Sequence, residues 1–144
     1  MENQFDPSKY NVVPFQKRIE KPWGYEIIYT PDTALAVGKI IHVNAGKRLS
    51  LQYHDEKIET LCLIEGKAKI TLLGKDGATV ELPMEFGKGY FVQKGQTHRV
   101  AAITDIVFVE SSTPEVGNTF RIEDDNNRAN ETEIIRKTQN RGWQ

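Results

Sequence analysis

Four polar residues stand at spacings that suit a divalent metal: Gln52, His54, Glu59 and His98. Two imidazoles, one carboxylate and one amide oxygen form a mixed nitrogen and oxygen donor set of the kind first-row divalent ions accept. In the run Arg48-Leu49-Ser50-Leu51-Gln52-Tyr53-His54, apolar Leu49, Leu51 and Tyr53 alternate with Arg48, Ser50, Gln52 and His54. Strand side chains change face at every residue, so an extended chain here puts the four polar groups on one face. Taken alone, that pattern also fits the solvated face of an edge strand. Glu59 opens the otherwise apolar run Thr60-Leu61-Cys62-Leu63-Ile64, and Gly95-Gln96-Thr97-His98 sets a second histidine at the start of another strand. Either histidine by itself fits a surface or satisfied core side chain. Their joint placement points to a metal.

These positions need a scaffold of short strands. Alternation and turn residues predict strands over 25–30, 36–43, 48–54, 59–64, 67–73, 79–82, 89–92, 98–102 and 106–111. Asn44-Ala45-Gly46 and Gly74-Lys75-Asp76-Gly77 mark two of the turns between them. Many short strands with no helical period between them argue for an all-β sandwich or barrel. Residues 1–16, broken by Pro7 and Pro14, read as an arm, residues 17–128 as the barrel and residues 129–144 as a tail. Within that tail Asn130-Glu131-Thr132-Glu133 resembles a capping box ahead of a short helix on the outside of the barrel.

Bulk composition excludes more than it identifies. A net charge of -1 gives no support for nucleic acid or a membrane surface as partner. No apolar run is long enough to span a bilayer, and MENQFDPSKY lacks the layout of a signal peptide. Cys62 is the single cysteine and has no partner for an intramolecular disulfide. A reduced, cytoplasmic setting is the expectation.

The spacing of these residues resembles that of the cupins. Gly46, Gln52, His54, Glu59 and Gly66 fall at the intervals of the cupin pattern G-x5-H-x-H-x3,4-E-x6-G, with Gln52 in place of the first histidine. Gly87, Gly95 and His98 fit the second pattern, G-x5-P-x-G-x2-H-x3-N, where Gln93 and Ala102 replace its proline and asparagine. Leu49-Ser50-Leu51-Gln52-Tyr53-His54 is similar to the LSLQ-x-H of the cupin domain of type II mannose-6-phosphate isomerases. Lys21-Pro22-Trp23-Gly24-Tyr25-Glu26 and Arg121-Ile122-Glu123-Asp124-Asp125-Asn126-Asn127-Arg128 resemble that domain's PWG-x-E opening and RxEDxYGR close. Where that domain reads H-H-H-R-x-E-H-W, this chain has His54-Asp55-Glu56-Lys57-Ile58-Glu59-Thr60-Leu61, and it lacks the extra histidines, the arginine and the tryptophan. The resemblance implies a cupin double-stranded β-helix, or jelly-roll barrel, holding one divalent ion: zinc, or else manganese, cobalt, nickel or iron. It also implies a homodimer and a small sugar phosphate as substrate.

Aldose–ketose isomerisation requires a base beside a carbonyl, for which Glu59 and Lys57 are the candidates. Lys57 would need a depressed pKa, and reads otherwise as a solvated turn lysine. Arg48, with Ser50 beside it, is the first candidate to meet the phosphate, since a buried arginine needs an anion. An ion pair with an interior carboxylate is the competing role for Arg48. The tail resemblance offers Arg128, which also reads as a surface residue, and Lys39 is a third cation. Trp23 is expected at the barrel end, Cys62 as an inert core thiol and His42 as structural. Tyr90 and Lys94 are candidates for the mouth. Two other functions suit the same scaffold: a metal-dependent oxygenase acting on a small molecule, and a non-catalytic module that binds a sugar or nucleotide sugar.

Overall fold

A computed structural model describes residues 5–144 of the chain; the first four residues of the expected arm lie outside the described residues. Its strands are β1 (Lys17–Lys21), β2 (Gly24–Ile28), β3 (Val37–Val43), β4 (Leu51–His54), β5 (Glu59–Glu65), β6 (Ala68–Leu73), β7 (Thr79–Pro83), β8 (Gly89–Val92), β9 (His98–Ala102), β10 (Ile106–Ser112) and β11 (Thr119–Glu123). One helical turn, α1 (Glu133–Arg136), and two 3-10 turns, Pro7–Lys9 and Arg141–Trp143, complete it. No helix among the described residues is long and apolar enough to cross a membrane.

Two antiparallel sheets face each other, in the orders β1-β2-β3-β10-β5-β8 and β11-β4-β9-β6-β7. The inner eight strands, β3-β10-β5-β8 over β4-β9-β6-β7, have the order of a jelly roll, with β1 and β2 extending one sheet and β11 the other. All nine predicted strands form. β1 and β11 do not follow from alternation. In Lys17–Lys21 four of the five residues are charged, and the two that turn inward are Ile19 and Lys21. In β11 the register shifts between Arg121 and Glu123, and this breaks the period of two.

The inward positions change character along the strands. On β3 they run Val43, Ile41, Lys39; on β10 Ile106, Phe108, Glu110; on β5 Leu63, Leu61, Glu59. Register aligns these series, with Val43 opposite Ile106, Ile41 opposite Phe108 and Lys39 opposite Glu110. One end of the barrel is therefore dry and closely packed, around Ile70, Val92, Val100, Ile106 and Phe108. Each such side chain contributes about 1.5–3 kcal/mol by leaving water. The other end is charged, and it is the end that carries the chemistry.

Three expectations are corrected. The strand predicted over 48–54 begins only at Leu51, so Arg48 is not held on the inward face with Ser50 and His54. A single bridge joins it to Ala101 instead, and its guanidinium turns outward to Asp125. The C-terminal helix starts two residues further on than an Asn130 cap implies. Thr132 is its N-cap, accepting from Ile135 N at 3.3 Å, while Asn130 Oδ1 accepts from Arg121 N. Cys62 alternates with buried Leu61 and Leu63, so it lies half-buried on the outer side of β5 rather than in the core.

Candidate metal centre

His54 ends β4, Glu59 begins β5 and His98 begins β9. The connection between the first two is pinned by Asp55, whose carboxylate accepts from Asn118 N at 2.7 Å, and by Ile58 N, which donates to Thr113 Oγ1 at 3.1 Å. Gly95, at φ +74°, makes the turn before β9 and donates its N–H to His54 O at 2.7 Å. A left-handed turn of this kind favours glycine. It brings His98 to His54, with ring centroids 5.1 Å apart.

Both Nε2 atoms converge on one carboxylate oxygen. His98 Nε2 lies 2.8 Å and His54 Nε2 3.3 Å from Glu59 Oε1, and the three side chains are 2–4% exposed. The outer ring nitrogens are committed elsewhere: His54 Nδ1 lies 2.9 Å from Thr119 Oγ1, and His98 Nδ1 donates to Gln96 O at 2.9 Å. A carbonyl only accepts, so this partner assigns the proton of a neutral His98 to Nδ1 and leaves a lone pair on Nε2. That lone pair faces a carboxylate oxygen, and His98 Nε2 is buried with no hydrogen-bond partner. Two acceptors in contact repel unless a cation lies between them. Burial pushes the His54 pKa down and favours neutral imidazole. Burial alone would raise Glu59, but the ammonium of Lys57 holds it well below the ordinary carboxylate range. An ionised carboxylate and imidazole lone pairs, with second partners fixing the rings, fit a divalent ion.

Gln52 sits directly opposite His98 between β4 and β9, and it lines a cavity with Glu59 and His98. Its Oε1 accepts from Ser50 Oγ at 2.6 Å, and Ser50 is itself buried. Period two thus holds for Ser50, Gln52 and His54.

Behind the trio lies a charged chamber of about 60 Å³. Lys21, Lys39, Lys57, Arg121, Arg128 and Arg141 supply its cations, and Glu26, Glu110, Glu115 and Glu131 its carboxylates. Lys57 is not a solvated turn residue. Its Nζ lies 3.1 Å from Glu59 Oε2 and 2.9 Å from Glu110 Oε2. Burial opposes its charge, but Glu110 and Glu59 more than offset this and hold its pKa above the ordinary lysine value, the reverse of what a base needs. Glu110 is pushed up to about 7, by burial first and then by Glu59. Lys39, expected as a substrate cation, is buried and paired with Glu26, Glu110 and Glu115. Arg128 is buried as well, in a fork with Asp124 at 2.9 and 3.0 Å. Arg48 stands apart, 44% exposed and outside the chamber lining. Trp23 is core and lines the chamber, while His42 stacks on Tyr25. Tyr90 packs against the core, its hydroxyl meeting Pro83 O and Glu85 N. Sequence reasoning missed Lys21, Glu26, Glu110, Glu115, Arg121, Glu131 and Arg141. The signal for Glu110 was present, since it continues the inward series Ile106, Phe108.

The carboxylates set the acid response. Burial would raise Glu26, Glu115 and Glu131, but lysine and arginine neighbours hold all three below the ordinary value. The folded chain therefore binds fewer protons than the unfolded chain in acid. The stability these groups contribute is complete above about pH 4.3, the unfolded glutamate value, and is lost as pH falls below it. Urea unfolding of wild type and Glu115→Gln across pH 3–7 checks this. The destabilisation caused by the substitution should be largest near neutrality and shrink toward pH 3. A difference independent of pH would contradict the assigned pairing.

A family described as mannose-6-phosphate isomerase C-terminal matches residues 9–131. No curated protein matches the chain. Among solved structures, oxalate decarboxylase from Bacillus subtilis superposes with a TM-score of 0.65 at 18% identity, covering 78% of this chain and 33% of that one. Another structure of that enzyme, studied for its Mn(II) centres, gives 0.63 at 15% identity, covering 81% and 35%. The capsular polysaccharide assembling protein CapF from Staphylococcus aureus gives 0.60 at 15% identity, covering 81% and 34%. The chain spans about a third of the length of each of these proteins, and at such identities the likeness is one of fold.

Proposed function

The chain belongs to the mannose-6-phosphate isomerase C-terminal family, and from that premise we propose that it is a metal-dependent enzyme acting on a sugar phosphate by aldose–ketose isomerisation of the mannose 6-phosphate and fructose 6-phosphate type. The observation that supports this best is the shared chamber. His54 of the metal trio and Gln52 line the same cavity as six cations and four carboxylates, so a substrate there would meet the metal ligands and several ammonium and guanidinium groups together. Isomerisation moves a proton between neighbouring carbons while charge builds on their oxygens. A divalent ion held by Gln52, His54, Glu59 and His98 would supply Lewis acidity for those oxygens; zinc, manganese, cobalt, nickel and iron all suit such donors. The chain's own part is positioning and proton transfer. Lys57 remains charged between Glu59 and Glu110; with Glu59 committed to the metal, Glu110, pushed up to about 7, is the group that takes and returns the proton.

The test is NMR of mannose 6-phosphate in deuterated water with metal-replete protein, beside His54→Ala. The expected result is fructose 6-phosphate, solvent deuterium at the adjacent carbon, and a rate at least ~100-fold lower in the variant. Failure to turn over with every one of the five metals would remove the reading. The same donor set also suits dioxygen chemistry on a small molecule. An oxygenase reaction on a small molecule would then show oxygen uptake dependent on Fe(II). Turnover with zinc under argon excludes it. A non-catalytic sugar-binding role fails on any product that is lost with His54.

A further inference from the structure

Two buried arginines at the charged end of the barrel each carry a donor with nothing to meet. Arg121 projects from β11 and Arg141 from the C-terminal 3-10 turn; both line the chamber, and both side chains are 5% exposed. One outer nitrogen of each is used. Arg121 Nη1 donates to Ala129 O and Gln144 O, and Arg141 Nη2 donates to Glu115 and Glu131. Glu131 lies between the pair, 3.9 Å from Arg121 and 3.4 Å from Arg141. The Nε–H of each is left buried without an acceptor. A buried unpaired donor on a charged group is costly, and two of them, brought to one cavity by separate segments, specify an absent acceptor.

We propose that Arg121 and Arg141 form an anion subsite that takes the phosphoryl group of the substrate. The guanidinium fork matches phosphate oxygens, and a cavity of about 60 Å³ holds roughly four water-sized atoms, the scale of a phosphoryl group. Of the metal trio only His54 lines this chamber; Glu59 and His98 do not. From Glu59 the ion pairs run through Lys57, Glu110, Lys39 and Glu115 before they reach Arg141. In a hexose 6-phosphate the phosphate is likewise at the far end from C1 and C2. Arg141 lies beyond the residues the family matches, so the tail supplies this group. The tail is pressed close to do so: a Cβ on Gly142 would overlap the backbone carbonyl of Glu20 on β1. Arg48, the cation chosen from alternation, is replaced in this role.

The assignment of the anion to a sugar phosphate rests on the isomerase reading; the anion site itself is tested separately. Inorganic phosphate and mannose 6-phosphate are each titrated by calorimetry into metal-replete wild type, Arg141→Gln and Arg141→Lys. The lysine variant keeps the charge facing Glu115 but lacks the Nε donor. Thermal unfolding and metal affinity of each variant serve as folding controls. Both variants should bind inorganic phosphate about 10- to 100-fold more weakly, with metal affinity unchanged. Phosphate affinity equal to wild type in both variants, or no phosphate binding by wild type, overturns the subsite. If phosphate binding depends on Arg141 but mannose 6-phosphate is not turned over, the subsite stands and the isomerase reading fails. Turnover with an unchanged KM in Arg141→Gln has the opposite meaning.

Discussion

Wild-type protein should gain about 5–10 °C in Tm when Mn(II) or Zn(II) is present at a hundredfold excess over its Kd, and His98→Ala should gain almost nothing. Saturation of that degree contributes about 2.7 kcal/mol to the folded state, and a domain of this size moves by about 2–4 °C per kcal/mol. The expectation follows from the direction of the lone pairs. His98 Nε2 is 2.8 Å from Glu59 Oε1, its other nitrogen is committed to Gln96 O, and it has no hydrogen-bond partner of its own. Removing the ring deletes a ligand and also relieves a contact between two acceptors, so the metal-free variant should lose far less stability than the loaded one. His42→Ala is the control. Its ring stacks on Tyr25 at 5.0 Å and bonds to Asn44, outside the trio. Differential scanning calorimetry with and without metal reads the result directly. An equal metal-induced shift in His98→Ala would place the ion elsewhere.

The parts of this site that could be read from sequence are those governed by period two and by fixed glycines. Ser50, Gln52 and His54 share a face because alternation persists through them, and β8 and β9 have the predicted bounds because turn residues flank them. Alternation fails wherever the inward position is charged. Lys21, Lys39 and Glu110 are inward by register, yet as residue types they resemble a solvated face. Each is tolerable inside only because ion partners arrive from other strands, and pairing across a sheet is invisible in a single sequence. Arg48 shows the converse error. Polar and in phase with His54, it left the interior because β4 starts three residues later and Asp125 offers a bidentate partner in water. Lys57 was misread for a related reason. A lysine in a four-residue connection is ordinarily solvated, but this connection is tied down by Asn118 and Thr113, which turns its ammonium toward Glu59 and Glu110.

That ammonium is the most consequential charge in the barrel, and Lys57→Met should destabilise the metal-free protein by roughly 3–5 kcal/mol. A neutral side chain of similar length removes the cation between Glu59 Oε2 and Glu110 Oε2, at 3.1 and 2.9 Å, and neither oxygen has a hydrogen-bond partner to replace it. Two buried carboxylates would then face each other, a state far costlier than loss of the pair as a whole. The contrast lies in the second substitution. Lys57→Met with Glu110→Gln removes the repelling charge along with the clamp, so the double variant should recover most of the loss, giving a coupling energy well above experimental error. Lys57 also helps to hold Glu59 ionised, so the single variant should bind metal with a steeper dependence on pH in the acid range. Urea midpoints at neutral pH, compared at constant m-value, decide it. A cost below about 1 kcal/mol for the single variant, or no recovery in the double, would mean that Lys57 is a bystander and that something else keeps Glu59 charged.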